Sequence, residues 1–186
     1  MERRTEPLLT VVVTGCSSIG KTTLAKILLA KFPELSLIHS YTTREKRDED
    51  INYYHISLEE FKTGLDNGEF IDHNEVYTNT FYGSKWQSLY ECNDLGKTPL
   101  LVTDSSGAAN YNNITNCLVI NLIPKDIKKI KQRILLVRND RLDERLKTLE
   151  HLHLGFGNEY IFDDINELIE DIFSDIQAHL NKKAGY

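Results

Sequence analysis

Residues 15–22 read Gly-Cys-Ser-Ser-Ile-Gly-Lys-Thr, and this stretch decides the fold. It is preceded at 8–14 by an apolar, β-branched run that is typical of a buried strand. It is followed at 23–32 by apolar residues at helical spacing, which end before Pro33. The glycine-rich segment therefore connects a strand to a helix, which is the context that the pattern G-x-x-x-x-G-K-[ST] requires of a phosphate-binding loop.

The chemistry of this loop points to a nucleoside triphosphate. Its glycines let the backbone wrap around phosphate groups, and its N–H groups converge at the positive end of the following helix. Lys21 is expected to reach the β- and γ-phosphates, and the hydroxyl of Thr22 is expected to ligate Mg²⁺. The residues that we expect to hold the triphosphate are Gly15, Ser17, Ser18, Ile19, Gly20, Lys21, Thr22 and Thr23.

The bulk composition limits the classes of function. The 186 residues suit one domain with a substantial core. Acidic residues outnumber basic ones 28 to 22, and the formal net charge of -6 argues against sequence-independent binding of nucleic acid. The three cysteines are widely spaced, form no metal-binding pattern and suit a reducing compartment. The short apolar run at 8–14 favours neither a signal peptide nor a membrane span, so we expect a cytoplasmic protein.

Further segments extend the strand–helix pattern along the chain. Buried strands are predicted at 98–104, 118–123 and 159–162, because each is a short apolar run. The spacing of apolar residues predicts a helix over 164–180. Strands that alternate with helices form parallel sheets covered on both faces, so we predict an α/β fold with a P-loop NTPase-type parallel core flanked by helices.

Two segments do not fit this core. Residues 38–89 are rich in Tyr, Thr and charged side chains, and residues 125–150 are strongly basic and helical in pattern. Insertions of this kind lie at the carboxyl ends of strands, where open α/β sheets bind ligands. We predict a small mixed α/β insertion that binds the phosphoryl acceptor, and a helical lid. The predicted boundaries are 1–37 for the first part of the core with the loop, 38–89 for the insertion, 90–126 for the second part of the core, 127–152 for the lid, and 153–186 for the third part with the C-terminal helix.

Ordered motifs along the chain resemble those of the guanylate kinase family. After the phosphate-binding loop come Ser40-x-Thr-Thr-Arg44-x-x-Arg47, Tyr53 with Ile56-Ser57, Phe70-Ile-Asp72, Tyr82-Gly-Ser84 and Asp104-x-x-Gly107. Each motif is short, but their succession follows the family's order over nearly the whole chain. The resemblance implies a nucleoside monophosphate kinase that transfers the γ-phosphoryl group of ATP to GMP, and also to dGMP, with Mg²⁺ as cofactor.

The resemblance also implies roles for individual residues. Those implied to hold the phosphate of the acceptor are Arg44, Arg47, Tyr53 and Tyr82. Those implied to face its base are Ser40, Asp72 and Ser84, with Asp104 nearby. The planar fork of arginine suits bidentate phosphate binding. A carboxylate complements guanine, because guanine donates from N1–H and its 2-amino group, and adenine offers neither donor at that edge.

The predicted lid carries four arginines, which are Arg133, Arg138, Arg141 and Arg145. The last three are spaced to share one helix face, and a neighbouring apolar stripe of Leu142, Leu146 and Leu149 would hold them at the edge of a cleft. The resemblance implies that the catalytic residues are Lys21, Arg44, Arg133 and Arg145. An ionised acceptor phosphate needs no general base, so these cations would act by positioning and electrostatic stabilisation.

Some positions depart from the family's pattern. Cys16 replaces the usual proline, Asp72 replaces a glutamate, and Val102 replaces a carboxylate associated with the Mg²⁺ and acceptor region. The loop between Arg47 and Tyr53 is also short for the family. These departures leave two other hypotheses open: a kinase for a different nucleoside monophosphate or a phosphorylated sugar, and a non-catalytic module that binds a phosphorylated ligand. A small GTPase is disfavoured, because the chain lacks an N-K-x-D guanine reader.

Other conspicuous side chains are interpreted as structural. His151 and His153 are two apart on a predicted helix, so they project apart and make a poor metal pair, and we expect them at the surface. Trp86 is expected to be buried under the insertion. We therefore expect small-molecule substrates, no nucleic-acid or membrane partner, and a monomer or weak homodimer.

Overall fold

Strands and helices alternate along the computed structural model, which describes residues 9–46, 53–77, 79–137 and 142–183. The strands in chain order are β1 (Leu9–Gly15), β2 (Leu35–Leu37), β3 (Ser40–Thr42), β4 (Tyr53–His55), β5 (Phe70–Tyr77), β6 (Thr80–Lys85), β7 (Thr98–Val102), β8 (Asn116–Pro124) and β9 (Asn158–Phe162). The helices are α1 (Lys21–Lys31), α2 (Leu58–Asp66), α3 (Trp86–Asp94), α4 (Ser105–Ile114), α5 (Ile127–Val137), α6 (Leu142–Lys147) and α7 (Ile169–Lys183), and a 3₁₀ turn at Ile165–Glu167 precedes the last.

The central sheet of the described chain is parallel and has the strand order β2-β7-β1-β8-β9. Its middle strand, β1, pairs with β7 on one side and with β8 on the other, so that Val11 lies opposite Leu100 and Leu118. This arrangement confirms the predicted α/β core. It also puts the carboxyl ends of the strands, including Gly15 at the end of β1, along one edge of the sheet, where open α/β proteins bind ligands.

The side chains of β1 alternate between two apolar layers. Val11 and Val13 belong to a cluster with α1, α5 and α7, whereas Val12 belongs to a second cluster with α3 and α4. All three valines are fully buried. A continuous apolar run is therefore compatible with a strand here, because helices cover both faces of a parallel sheet.

A second, mixed sheet with the order β4-β3-β6-β5 lies within residues 38–89. Its helix, α2, starts at a capping box, in which the Ser57 hydroxyl accepts from the Glu60 N–H and the Glu60 carboxylate accepts from the Ser57 N–H. Phe61 of α2 is buried against this sheet and stacks on Phe70, with ring centroids 4.3 Å apart. The small sheet thus has its own aromatic packing, and helix α3 connects it to the core strand β7.

The C-terminal helix starts later than its apolar spacing predicts. The carboxylate of Asp164 accepts from the Asn166 N–H and caps a 3₁₀ turn, and α7 starts only at Ile169. The strand predicted at 98–104 likewise ends at Val102, because Asp104 caps α4 instead of continuing the strand. In both places an aspartate side chain competes for a backbone N–H, which apolar spacing alone does not reveal.

Two further local expectations differ from the structure, although His151 and His153 are exposed as expected. The helix predicted at His151 and His153 is wrong, because residues 151–154 have no regular secondary structure. Trp86 is half-buried rather than enclosed, and it stacks on Tyr90 with ring centroids 6.1 Å apart. In the described part of the chain, no helix has the length and apolar character needed to cross a membrane.

Candidate active site

The phosphate-binding loop has a conformation that requires glycine at its first position. Gly15 has a φ of +139°, and a β-carbon there would lie 2.5 Å from the carbonyl oxygen of Leu122 on β8. Gly20, just before α1, also has a positive φ, and no described side chain caps the start of this helix. Thr22 and Thr23 lie exposed in the first turn. The first N–H groups of α1 are therefore available to an anion such as phosphate.

The side chain of Lys21 turns back across the loop. Its Nζ donates hydrogen bonds to the carbonyl oxygens of Gly15 and Cys16, both at 2.9 Å. The pKa of Lys21 is lowered, mainly because burial disfavours the charged ammonium. The nearby carboxylate of Asp104 opposes this shift by favouring the charged form. The loop thus holds its ammonium group inside the cradle, where the phosphates of a bound triphosphate would lie.

Two arginines of the predicted lid contact this loop. Nη1 of Arg145 donates to the hydroxyl of Ser17 at 3.0 Å, and Nη1 of Arg133 donates to the carbonyl oxygen of Ser18 at 3.4 Å. Ile19, the next loop residue, is buried and anchors the loop to the core. The apolar stripe of the lid packs against the same cluster through Leu142, Leu146 and Leu149, as the sequence predicts. Three other predicted arginines lie outside the described residues, namely Arg47, Arg138 and Arg141.

A second group of side chains that can bind an anion lies in the small sheet. Nε of Arg44 donates to the hydroxyl of Tyr82 at 3.0 Å, and the guanidinium lies over the ring of Tyr53, 5.6 Å from its centroid. The rings of Tyr53 and Tyr82 meet edge to face with centroids 5.8 Å apart. The structure therefore brings together one guanidinium and two phenols, all of which can donate to an anion.

The residues predicted to face the base lie side by side on adjacent strands. Asp72 of β5 lies opposite Ser84 of β6, and the Ser84 N–H donates to Oδ1 of Asp72 at 3.0 Å. The pairing of Tyr41 with Gly83, extended by one residue, puts Ser40 opposite Ser84. Burial raises the pKa of Asp72, and its hydrogen bonds from Ser84 oppose this shift. Ser84 thus lies between Ser40 on one side and the half-buried carboxylate of Asp72 on the other.

Asp104 lies between the phosphate-binding loop and the small sheet. Its Oδ1 accepts from the Gly107 N–H at 3.0 Å, which holds the carboxylate at the start of α4. From there its charge acts on Lys21 in the loop and on Asp72 in the small sheet. A β-carbon on Gly107 would lie 2.9 Å from Oδ2 of Asp72 and 2.1 Å from the Thr103 hydroxyl, so glycine permits this close approach. The loop, α4 and the small sheet therefore meet around one carboxylate.

A cavity of about 220 Å³ opens between the loop and the lid, and its lining includes residues that the sequence did not single out. Thr14 is fully buried, and its hydroxyl has no hydrogen-bond partner among the described residues. Thr148 accepts a hydrogen bond from the Ser17 N–H at 2.9 Å, across 131 positions of sequence. His151, expected only at the surface, is exposed but also lines the cavity. Thr14 could have been identified as a site residue because it ends the strand that leads into the loop. No feature of the sequence points to Thr148.

Tyr111 is a further residue that sequence reasoning missed. It is fully buried in the apolar cluster on the α4 side of the sheet. Burial raises the pKa of Tyr111, and the nearby Asp72 carboxylate raises it further. Tyr111 follows Gly107 by one helical turn, and side chains on a helix lean towards its N-terminus, which directs the phenol towards Asp72. Its position four residues after Gly107, on the same helix face, is the sequence feature that could have placed it near the site.

The oxygen donors at the loop suit Mg²⁺ bound together with a triphosphate. Within the described residues, no three His, Cys, Asp or Glu side chains cluster as a metal site. Mg²⁺ needs no such cluster when it binds with a nucleotide, because phosphates and water supply most of its ligands. The exposed hydroxyl of Thr22 at the start of α1 is the kind of oxygen ligand that this arrangement requires.

Comparison with known proteins agrees with the motifs. A family model described as "Guanylate kinase" matches residues 8–183. The guanylate kinase of Clostridium perfringens is 31% identical over 177 residues, which cover 91% of this chain and 81% of that protein. The guanylate kinase of Chlorobium luteolum is 34% identical over 169 residues, which cover 87% of this chain and 85% of that protein.

Solved structures agree as well. The crystal structure of guanylate kinase from Anaplasma phagocytophilum matches with a TM-score of 0.71 and 26% sequence identity, over 93% of this chain and 86% of that chain. The likeness therefore extends over the phosphate-binding loop, the small sheet and the lid together rather than over the common core alone. Because the family model covers almost the whole sequence, this chain belongs to the guanylate kinase family.

Proposed function

We propose that the protein transfers the γ-phosphoryl group of ATP to GMP, and to dGMP, and releases ADP with GDP or dGDP. The observation that carries this proposal is the position of Asp104. This residue lines the cavity together with Gly15 of the loop, and its carboxylate accepts from the N–H of Gly107, which lies close against Asp72. A triphosphate on the loop and a monophosphate between Asp72 and Arg44 would therefore share one cleft. This is the geometry that direct transfer between two nucleotides requires.

The surroundings of Asp72 suit guanine as the base. A carboxylate can accept both the N1–H and the 2-amino group of guanine, while Ser40 and Ser84 offer hydroxyls beside it. Adenine would leave the half-buried carboxylate without those donors, which costs affinity. The shorter side chain of aspartate, compared with glutamate, is partly offset because the Ser84 N–H holds its carboxylate in place.

The cluster of Arg44, Tyr53 and Tyr82 suits the phosphate of the acceptor. Nε of Arg44 is held by the Tyr82 hydroxyl, and the Tyr53 ring supports the guanidinium from one side. A guanidinium held in this way keeps its orientation when it binds a phosphate oxygen. The family resemblance implies the same phosphate-binding role for Arg47, which lies outside the described residues.

The transfer step itself would depend on electrostatics. The attacking phosphate oxygen is already ionised, so the main obstacle is repulsion between two polyanions. Lys21 would exchange its two carbonyl partners for phosphate oxygens, and Arg133 and Arg145 already lie at the loop. Mg²⁺ bound beside Thr22 would neutralise part of the charge on the phosphates. Closure of the lid would exclude water and so suppress ATP hydrolysis.

We also propose that the protein works in the cytoplasm on small molecules alone, as a monomer or weak homodimer. Its net charge of -6 supports the absence of a nucleic-acid partner. Sedimentation velocity across a hundredfold range of protein concentration tests the assembly state. A stable tetramer at the lowest concentration would contradict the proposal.

A coupled assay with ATP and one acceptor at a time tests the reaction. We expect kcat/KM for GMP and dGMP to exceed that for AMP, UMP and CMP by at least about a hundredfold. Equal values across this panel, or a preference for a phosphorylated sugar, would overturn the guanine assignment. The Lys21→Met variant, purified in the same way, controls for contaminating kinases.

Calorimetry with ATP separates this proposal from the non-catalytic alternative. We expect ATP to bind, and Mg²⁺ to change its affinity, because Lys21 and Thr22 form a complete phosphate-binding loop. A protein that binds GMP but no ATP would be a phospho-ligand-binding module rather than a kinase.

A further inference from the structure

Thr148 lies where the lid meets the phosphate-binding loop. Its Oγ1 accepts a hydrogen bond from the Ser17 N–H at 2.9 Å and donates one to the carbonyl oxygen of Arg145 at 2.6 Å. The side chain of Arg145 closes the circuit, because its Nη1 donates to the Ser17 hydroxyl at 3.0 Å. We call this circuit of three hydrogen bonds the Ser17–Thr148–Arg145 ring.

We propose that Thr148 is a positioning residue for phosphoryl transfer, which sets the guanidinium of Arg145 against the third residue of the phosphate-binding loop. The proposal rests on the proposed function, in which Arg145 stabilises charge on the transferred group. Thr148 would act through Arg145 and Ser17 rather than by touching the phosphates. None of the family motifs in the sequence includes it.

The ring suits this role because the segment that carries Thr148 is itself fixed. Thr148 directly follows the end of α6, and its hydroxyl satisfies a carbonyl oxygen that the helix end leaves without an intrahelical partner. Leu146 and Leu149, which lie on either side of it in sequence, pack against the main core cluster. The hydroxyl therefore has a defined place relative to β1 and the loop.

Positioning matters for Arg145 because a long, flexible side chain must be ordered before it can stabilise a transition state. Hydrogen bonds that already order this side chain lower the cost of reaching the reactive arrangement. The ring also links the arginine to the backbone of Ser17, so the lid and the loop keep a fixed position relative to each other. Loss of the Thr148 hydroxyl would leave both the Ser17 N–H and the Arg145 carbonyl without this partner.

Substitution at Thr148 provides a clean test because the residue is exposed and valine has nearly the same shape as threonine. Thr148→Val keeps the shape of the side chain and removes both hydrogen bonds, whereas Thr148→Ser keeps the hydroxyl. We expect Thr148→Val to lower kcat about tenfold and to change the KM for ATP and for GMP by less than about twofold. We expect Thr148→Ser to stay within about twofold of the parent protein.

A double variant shows whether Thr148 acts through Arg145. In an Arg145→Ala background the ring is already broken, so adding Thr148→Val should change kcat by less than about twofold. An equal tenfold loss in both backgrounds would overturn the proposal. So would a Thr148→Val protein with unchanged kcat, or a Thr148→Ser protein as slow as the valine variant.

Amide hydrogen exchange at Ser17 distinguishes failure of this proposal from failure of the proposed function. This measurement uses the nucleotide-free protein and does not depend on which acceptor is phosphorylated. We expect exchange at the Ser17 N–H to be about fivefold faster in Thr148→Val than in Thr148→Ser, because only the valine variant lacks the acceptor. Equal exchange in the two variants would refute the ring, whatever the acceptor assay shows.

Discussion

Arg44 donates a hydrogen bond from its Nε to the hydroxyl of Tyr82 at 3.0 Å, across 38 positions of sequence. Nη1 of the same guanidinium donates to the carbonyl oxygen of Glu45 at 3.0 Å. These contacts orient the guanidinium. On the proposed function, this orientation prepares Arg44 to bind the acceptor's phosphate.

The substitution Tyr82→Phe tests this preparation. It removes the hydroxyl that holds Arg44 and that would itself contact the phosphate, so we expect the KM for GMP to rise about tenfold. The KM for ATP should stay constant, because the loop is unaffected. Tyr54→Phe is the matched control, since Tyr54 lies on the same small sheet with its side chain 49% exposed. An equal rise in both variants would contradict the assigned role.

Replacing the proposed base-reading carboxylate should change substrate choice. Asp72→Asn retains the size of the side chain but replaces one acceptor oxygen with a donor group. We expect kcat/KM for GMP to fall at least about a hundredfold, with a much smaller change for AMP. Steady-state kinetics with both acceptors measures the ratio. A variant that still prefers GMP by the parent's factor would show that Asp72 does not read the base.

The raised pKa of Asp72 predicts opposite pH effects on binding and on stability. Guanine requires the ionised carboxylate, so the KM for GMP should rise as pH falls through a value above the ordinary aspartate pKa of about 3.9. In the folded protein this group takes up its proton at a higher pH than in the unfolded chain. Its contribution to the free energy of unfolding therefore increases as pH falls through that window.

Kinetic and thermal measurements between about pH 4 and pH 7 would separate these two effects. Asp72→Asn provides the control, because it cannot titrate and should flatten both the KM profile and this part of the stability profile. A KM for GMP that is constant across this range in the parent protein would contradict the prediction.

Lys21→Met should abolish most activity without unfolding the protein. The ammonium of Lys21 donates to two loop carbonyls, but it would neutralise charge during transfer. We expect kcat to fall about a thousandfold, by comparison with other cations that stabilise phosphoryl transfer. Circular dichroism and thermal denaturation check the fold, and Lys26→Met, an exposed change on the same helix, is the control. Near-normal turnover in Lys21→Met would refute the assigned role.

A stability prediction concerns Thr98, at the start of β7 and away from the site. Thr98 is 1% exposed, and its hydroxyl has no hydrogen-bond partner among the described residues. Thr98→Val should raise the free energy of unfolding by about 1 kcal/mol, and Tm by about 2–4 °C, because it removes an unsatisfied buried hydroxyl at nearly constant shape.

Thr42→Val is the matched control for this prediction. Thr42 is also fully buried, but its hydroxyl donates to the carbonyl oxygen of Phe81 at 2.8 Å and accepts from the Arg44 N–H at 3.2 Å. The same substitution should therefore destabilise the protein by about 1–3 kcal/mol. A loss of stability in Thr98→Val comparable to that in Thr42→Val would contradict the account.

The core of this fold was predictable because its signals are local. The residues from β1 through the loop to α1 are contiguous, so strand, glycine turn and helix start could be read together. The continuous apolar run around Val12 indicated a strand buried on both faces, and the parallel sheet confirmed it. The start of α7 was not predictable from apolar spacing, because the Asp164 carboxylate competes for the backbone N–H of Asn166.

The candidate site was predictable only as far as its residue types and motifs extend. Asp72 and Ser84 could be proposed from their motifs, but their register opposite one another depends on how β5 and β6 pair. The influence of Asp104 on both Lys21 and Asp72 depends on where α4 starts in space. Tyr111 and Thr148 were missed, since neither belongs to a motif with known chemistry.

The amino-acid order alone determined the phosphate-binding loop, the α/β class and the family resemblance, because each depends on residues that are close in sequence or on ordered motifs. Only the tertiary structure decided which hydroxyls, carboxylates and cations meet. Ser17 and Arg145 are 128 positions apart, yet they share a hydrogen bond. Such a contact depends on the packing of the lid leucines and the register of the sheet, which no local pattern of residues encodes.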